Sequence, residues 1–340
     1  MGDVLHAMPA VAALRELHPE WEIHWAIEPR WSTLLASGCV AEPAVRGACM
    51  PLVNGWHAVR TRIWQQRPFS WATVADIRGL RAELRAERFD VCVDMQGLIR
   101  SAVVGRMAGA TRFVGRDAPR EGVAKILYGQ RVKVSATHVV EQGCEVLGAA
   151  VGESLRPARV PLPMDAVAEA WCDGVVAKFD RRRCVMIAPT AGWGAKEWPV
   201  ERYGAVAAEL GRAGFGVVVN AVGDSDPTAA AVVRASEGAA LAVPCSISQM
   251  IALMRRSCLF IAGDTGPLHL AAALERPVVG IYGPTDPART GPYGVGTVTP
   301  GVVLRDGSSV TDHRRHRVPE AGLLRIRVDE VVEAALSVLR

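Results

Sequence analysis

Short apolar runs alternate along the chain with stretches whose apolar residues recur every three or four positions. Residues 24–28 read as a strand, with Ile23, Trp25 and Ile27 on one side. Residues 71–89 read as an amphipathic helix, with Val74, Ile77, Leu80 and Leu84 on one face and arginines elsewhere. Asp90-Val-Cys-Val-Asp94 follows as a buried strand. Further strands are expected at 112–115, 184–188, 215–222, 259–262 and 278–282, with helices such as 201–213 and 248–256 between them. This alternation predicts an α/β protein with parallel sheets covered by helices on both faces. Residues 156–163 carry three prolines in eight positions and separate two strand–helix series. A boundary there predicts two doubly wound domains with a cleft at the carboxyl ends of their strands.

Composition narrows the class without choosing a function. Half of the 340 residues are apolar and 22% are charged, which suits two folded domains and excludes a disordered chain. The net charge of +4 is too mild to argue for nucleic acid. No uninterrupted apolar stretch approaches the roughly 20 residues of a membrane span, and no secretory signal opens the sequence. The eight cysteines include no CxxC pair. They read as reduced core thiols of a cytoplasmic protein rather than as zinc ligands or disulfides. The basic run at 311–317 reads as a solvated loop, since its His313 and His316 have no third ligand nearby.

Four stretches carry candidate chemistry. In Phe260-Ile-Ala-Gly-Asp-Thr-Gly-Pro-Leu-His269, a strand ends at Gly263, Asp264-Thr265-Gly266 turns, and Pro267 fits the first helical position. Free N–H groups at such a helix start favour a phosphate. Asp264 then either accepts hydrogen bonds from sugar hydroxyls or caps the helix, and spacing alone leaves both open. In Pro189-Thr-Ala-Gly-Trp-Gly-Ala-Lys196, small residues permit close backbone approach and Lys196 offers a charge suited to a diphosphate, although no Walker loop is present. At the start, Asp3 lies at the head of the first helix, where a cap is the simplest reading. Around Asp94-Met-Gln-Gly-Leu98, a further strand–turn–helix stands with Arg100, and arginines 60, 62, 67, 116 and 120 make this half potentially basic. Asp264-Thr-Gly also matches the aspartic-protease tripeptide, but a second copy is missing and a helix follows. Gly211-Arg-Ala-Gly-Phe-Gly216 has the wrong spacing for a dinucleotide fingerprint.

Taken together, Gly2-Asp-Val-Leu-His6, Asp94-Met-Gln-Gly-Leu98, Arg120-Glu121, His138 with Glu141, Lys196-Glu-Trp-Pro199, Asp264-Thr-Gly with His269, and Tyr282-Gly-Pro-Thr-Asp286 resemble the ADP-heptose:lipopolysaccharide heptosyltransferases, glycosyltransferase family 9. The resemblance spans nearly the whole chain. It implies a GT-B fold: two Rossmann-like domains facing across a cleft, with residues 1–160 binding the acceptor and 161–340 the nucleotide sugar. It implies inverting transfer of L-glycero-D-manno-heptose from ADP-heptose to the Kdo region of the lipopolysaccharide inner core, with no metal or other cofactor. Carried over residue by residue, Asp3 is the general base and Lys196 the diphosphate contact. Thr190, Asp264, Thr265, Gly266 and His269 bind the donor, and Arg60, Arg62 and Arg120 the acceptor. The partners implied are ADP-heptose and Kdo-lipid A at the membrane surface. The expected location is cytoplasmic, peripheral to the inner membrane, with no transmembrane segment and no nucleic acid.

The chain departs from the family pattern in three places. The family begins with a β-strand ahead of Gly-Asp-Val-Leu-His, so a native start upstream of Met1 is expected, and residues 1–160 read as lacking their first strand. The loop before Lys196 makes Thr190 the candidate phosphate hydroxyl. The acid expected beside the adenosine falls on either Asp224 or Asp226. The particular transfer step stays open: either of the first two heptose transfers, or another nucleotide sugar. So does a catalytically inactive sugar-nucleotide-binding protein.

Overall fold

The computed structural model describes residues 1–38, 47–179, 183–312, 314 and 316–340. Cys39 and His313 lie outside them. The long first helix, α1 (Gly2–Leu17), is apolar nearly all round, with Met8, Ala10 and Ala12 fully buried. The chain continues through β1 (His24–Ile27), β2 (Gly55–Ala58), α2 (Thr61–Gln66), α3 (Trp71–Ala86), β3 (Val91–Asp94), α4 (Ile99–Ala108), β4 (Arg112–Arg116), β5 (Gln130–Val132) and α5 (Val139–Val151). After the proline-rich segment come α6 (Ala166–Val176), β6 (Cys184–Ala188), α7 (Val200–Arg212), β7 (Gly216–Ala221), α8 (Pro227–Ala235), β8 (Ala240–Pro244), α9 (Ile247–Arg256), β9 (Leu259–Gly263), α10 (Gly266–Ala273), β10 (Val278–Tyr282), α11 (Pro287–Thr290), β11 (Gly301–Arg305) and α12 (Val328–Val338). Contacts divide the chain into His6–Pro163 and a second unit of Met164–Arg340 joined by Met1–Leu5.

The second unit has one six-stranded parallel sheet, ordered β11-β10-β9-β6-β7-β8. Its first strand, β6, stands beside its fourth, β9, so the strand order reverses between them. Every residue of β6, β9 and β10 is buried, as expected for strands covered on both faces. On one face Val185, Ile187, Val219, Ile261 and Ile281 pack with Tyr203, Val206 and Leu210 of α7, Val232 of α8 and Val331 of α12. The amphipathic spacing of α7 explains that choice of face.

The His6–Pro163 unit is also parallel, but its strands form two sheets, β1-β2 and β3-β4-β5. β2 and β3 are mostly half-buried, β4 is buried at its centre and β5 is largely exposed. On α3 the buried residues are Thr73, Leu80 and Leu84, and Ser70 caps the helix by accepting a hydrogen bond from Thr73 N at 3.1 Å. The apolar face is thus rotated slightly from the one that Val74 and Ile77 suggested; both are only half-buried. Among the described residues no helix is long and apolar enough to cross a membrane.

Candidate functional site

In doubly wound sheets, ligands bind outside the carboxyl ends of strands where the order reverses. In the second unit that point lies between β6 and β9, paired with Ala188 opposite Ala262. The loop after β6 carries Thr190 and ends in a 3-10 turn at Gly194–Lys196. The turn after β9 carries Asp264 and Thr265 and opens α10. The two predicted stretches therefore meet because the sheet makes neighbours of strands some 70 positions apart.

Asp264 is 8% exposed and does not cap α10. Its carboxylate accepts hydrogen bonds from Lys196 Nζ and, at 2.7 Å, from Thr285 Oγ1; His269 Nε2 stands 3.3 Å from the other oxygen. Burial alone would raise the Asp264 pKa. The hydrogen bond and charge of His269, and then the charge of Lys196, outweigh it and hold the carboxyl well below the usual range. Asp264 is therefore an anion that positions a cation. That removes the repulsion expected between a carboxylate and a phosphate at this helix start, because Lys196 sits on the acid. The lysine also lies over the Trp193 ring, 5.0 Å from its centroid.

The Lys196 turn is held from behind. Ala195 N donates to His316 O at 3.0 Å and Glu320 N to Ala195 O at 3.1 Å. Gly194 has no room for a side chain, since a Cβ would stand 2.0 Å from Arg317 O. Trp198, fully buried, donates from Nε1 to Ile326 O at 3.1 Å and meets Tyr203 edge to face. The 311–317 run thus contributes backbone to the site, while His316 itself pairs with Asp312 at 2.9 Å.

At the start of α10, Pro267 occupies the first turn and the Thr265 cap makes no side-chain hydrogen bond. Thr265 Oγ1 is buried and has no hydrogen-bond partner among the described residues. Burial, and then the charge of Asp264 and a hydrogen bond to it, raise the Tyr282 hydroxyl well above its ordinary pKa. An unsatisfied buried hydroxyl such as that of Thr265 is costly. Residues 1 and 2 lie over the same helix start. A Cβ on Gly266 would meet Met1 Sδ at 2.7 Å, and one on Gly2 would meet His269 at 3.6 Å. The first helix begins at Gly2, so Asp3 lies within its first turn, exposed, and is not its cap. Thr190 is half-buried two residues beyond β6.

Thr285 is the residue that sequence reading passed over. The Gly-Pro-Thr-Asp motif after β10 signals it, because Ile281 pairs with Gly263 and the two turns emerge side by side. Asp286 in that motif only caps α11, accepting from Ala288 N at 2.9 Å. Of the two acids offered for the adenosine, Asp226 caps α8 and Asp224 is exposed.

In the His6–Pro163 unit, Asp94 is structural. It accepts from Gln96 N, Gly97 N, Ser101 Oγ and Tyr128 Oη at 2.7–3.0 Å. Glu121 tethers the start of α4 through Ile99 N at 2.7 Å, and His138 caps α5. Arg60 pairs with Asp76 at 2.7 Å and remains partly exposed; Arg62 and Arg120 are exposed.

Two Rossmann-like units in tandem, the second with a charged turn at its switch point, define the GT-B class of fold. A family model, glycosyltransferase family 9 (heptosyltransferase), matches residues 77–311. That is more than half of the chain, and the chain belongs to this family. Lipopolysaccharide heptosyltransferase 1 of Escherichia coli K12 is 27% identical over 307 residues, covering 86% of this chain and 88% of that protein. The Pseudomonas aeruginosa enzyme of the same name is 28% identical over 299 residues, covering 86% and 79%. Among solved structures, E. coli heptosyltransferase WaaC with ADP superposes with a TM-score of 0.76 at 22% identity, covering 99% of this chain and 96% of that one. A family 9 glycosyltransferase from Veillonella parvula gives 0.79 at 18% identity, covering 99% and 94%.

Proposed function

We propose that the protein transfers L-glycero-D-manno-heptose from ADP-heptose to the Kdo region of a lipid A-anchored acceptor, as the first heptose transfer of the lipopolysaccharide inner core. The relatives named heptosyltransferase 1 favour that step over the second. The observation that carries the reading is the buried Lys196–Asp264 pair, with His269 and Thr285, at the start of α10.

The reaction is a single displacement with inversion. The acceptor hydroxyl loses its proton to Asp3 and attacks the anomeric carbon as the bond to the diphosphate breaks and ADP leaves. Charge grows on the leaving diphosphate. Lys196, with two ammonium protons beyond the one given to Asp264, and the N–H groups of Gly266 and Leu268 stabilise it. Thr190, Thr265 and His269 complete the donor contacts, and Arg60, Arg62 and Arg120 bind the anionic acceptor. This scheme assigns the leaving-group charge to lysine and helix dipole, and needs neither metal nor cofactor. The acceptor is anchored in lipid, so the enzyme works at the inner face of the membrane.

The test follows ADP release from ADP-heptose with a Kdo-lipid A acceptor. Asp3→Asn should abolish turnover while donor binding, read by thermal shift, is retained. Turnover within threefold of the unaltered protein would remove Asp3 as base.

A further inference from the structure

His24 and His57 lie on neighbouring strands, diagonal to one another on one face, since His24 pairs with Gly55 and Ala26 with His57. His24 Nδ1 stands 3.1 Å from His57 Nε2. The other nitrogen of His57 stands 2.5 Å from Glu83 Oε1 of α3. A carboxylate only accepts, so His57 Nδ1 carries the proton and Nε2 turns a lone pair toward His24. Glu87, just past the end of α3, brings a carboxylate oxygen to the same point. One ligand atom from each of His24, His57 and Glu87 lies within 4.8 Å of the other two.

The geometry points to a site for one divalent transition-metal ion of the Zn²⁺ type, held by His24 Nδ1, His57 Nε2 and Glu87, with Glu83 orienting His57. Two imidazole nitrogens on a tetrahedral zinc, each about 2.0–2.1 Å away, stand about 3.3 Å apart. The observed 3.1 Å is close to that spacing; binding an ion would turn the two nitrogens from each other toward a common point and draw in the Glu87 oxygen from within 4.8 Å. A carboxylate on the far nitrogen of a ligating histidine is the usual means of fixing its tautomer and raising its basicity.

The surroundings fix the rings as well. His24 lies against Gly55, where a Cβ would come within 3.0 Å of its Cε1 and Nδ1. Phe89 presents an edge to both rings, at centroid distances of 5.3 and 6.0 Å. His57 is 4% exposed, whereas Glu87 faces solvent and leaves a path of entry. Two nitrogens and one oxygen suit zinc, cobalt or nickel rather than magnesium or calcium. On binding, the proton between the two rings moves to His24 Nε2, and no net charge is displaced from the imidazoles. The ion clips β1, β2 and the end of α3 together, where the two-stranded sheet offers only four residues per strand. Its role is structural and separate from the transfer chemistry.

The test uses tag-free, chelator-stripped protein titrated with Zn²⁺ against a chromophoric chelator, with Co²⁺ as a spectroscopic probe. One ion per chain and an intense visible Co²⁺ band are expected. His24→Asn and Glu87→Gln should each weaken binding at least tenfold, and Glu83→Gln about 10- to 100-fold. Circular dichroism checks that these variants fold; none removes the buried His57. Absence of stoichiometric binding would overturn the site and leave the two histidines sharing a proton. Binding unchanged in the His24 and Glu87 variants would overturn it equally, by placing the ion elsewhere. Neither result bears on the transferase reading, because no step of the assay uses a sugar donor.

Discussion

Replacing Lys196 by methionine keeps most of the side-chain volume and removes the charge that balances Asp264. The pair is well shielded, with side-chain exposures of 16% and 8%. Breaking a buried pair from one side costs about 3–5 kcal/mol, because the remaining charge is left without its counterion. Thr285 and His269 still serve the carboxylate, so the lower end applies, about 3 kcal/mol. For a unit of this size that lowers the melting temperature by about 6–12 °C. Adding Asp264→Asn removes the stranded charge and should recover at least about 1.5 kcal/mol relative to the sum of the two single variants.

The pH dependence has a definite sign. Asp264 has a folded-state pKa below its ordinary 3.8. Its contribution is therefore present above that value and is lost as pH falls toward the lower folded-state pKa. Without Lys196 the folded-state pKa rises toward or past the unfolded value, so the variant should lose less stability than the parent as the pH falls below about 4. The assay is urea unfolding of the three variants between about pH 3 and 7. Additivity of the two substitutions within about 0.5 kcal/mol, or a loss below about 1 kcal/mol for Lys196→Met, would refute the buried-pair argument.

Thr285→Val should cost about 1.5–3 kcal/mol, since it removes a hydrogen bond to a buried carboxylate, and should lower turnover by loosening Lys196; unchanged stability and rate would show that Thr285 is incidental. Burial pushes the Cys92 and Cys144 thiols up to about 12. Both should therefore resist alkylation at pH 8 in the native protein and react in urea, as counted by mass spectrometry; rapid native labelling would contradict their placement.

Local pattern carried the strand–helix alternation a long way. Strands 184–188 and 278–282 fall where the apolar runs lie, because a parallel strand buried on both faces must be apolar throughout. Strands in the His6–Pro163 unit were harder to see. β2, Gly55–Ala58, is short, half-buried and contains a histidine, so neither periodicity nor composition marks it. The residues that converge on the second unit's turn were legible individually: a glycine-rich loop ending in lysine, and a strand–turn–helix with Pro at its start. Their roles were not. Whether Asp264 faced a ligand, capped α10 or paired with a cation depended on which strand emerged next to β9, and strand order is not written in any local window.

The sequence by itself therefore determined the α/β alternation, the family and the places where backbone could approach an anion, because those follow from spacing and residue type. Tertiary structure decided the pairings. It set Lys196 and Thr285 on Asp264, assigned Asp94, Asp226 and Asp286 to hydrogen bonds that hold their own turns, and brought His24 to His57. Such contacts depend on sheet order and register, which are fixed when the whole apolar surface is buried together, and a polar side chain takes its charge state from the neighbours that burial supplies.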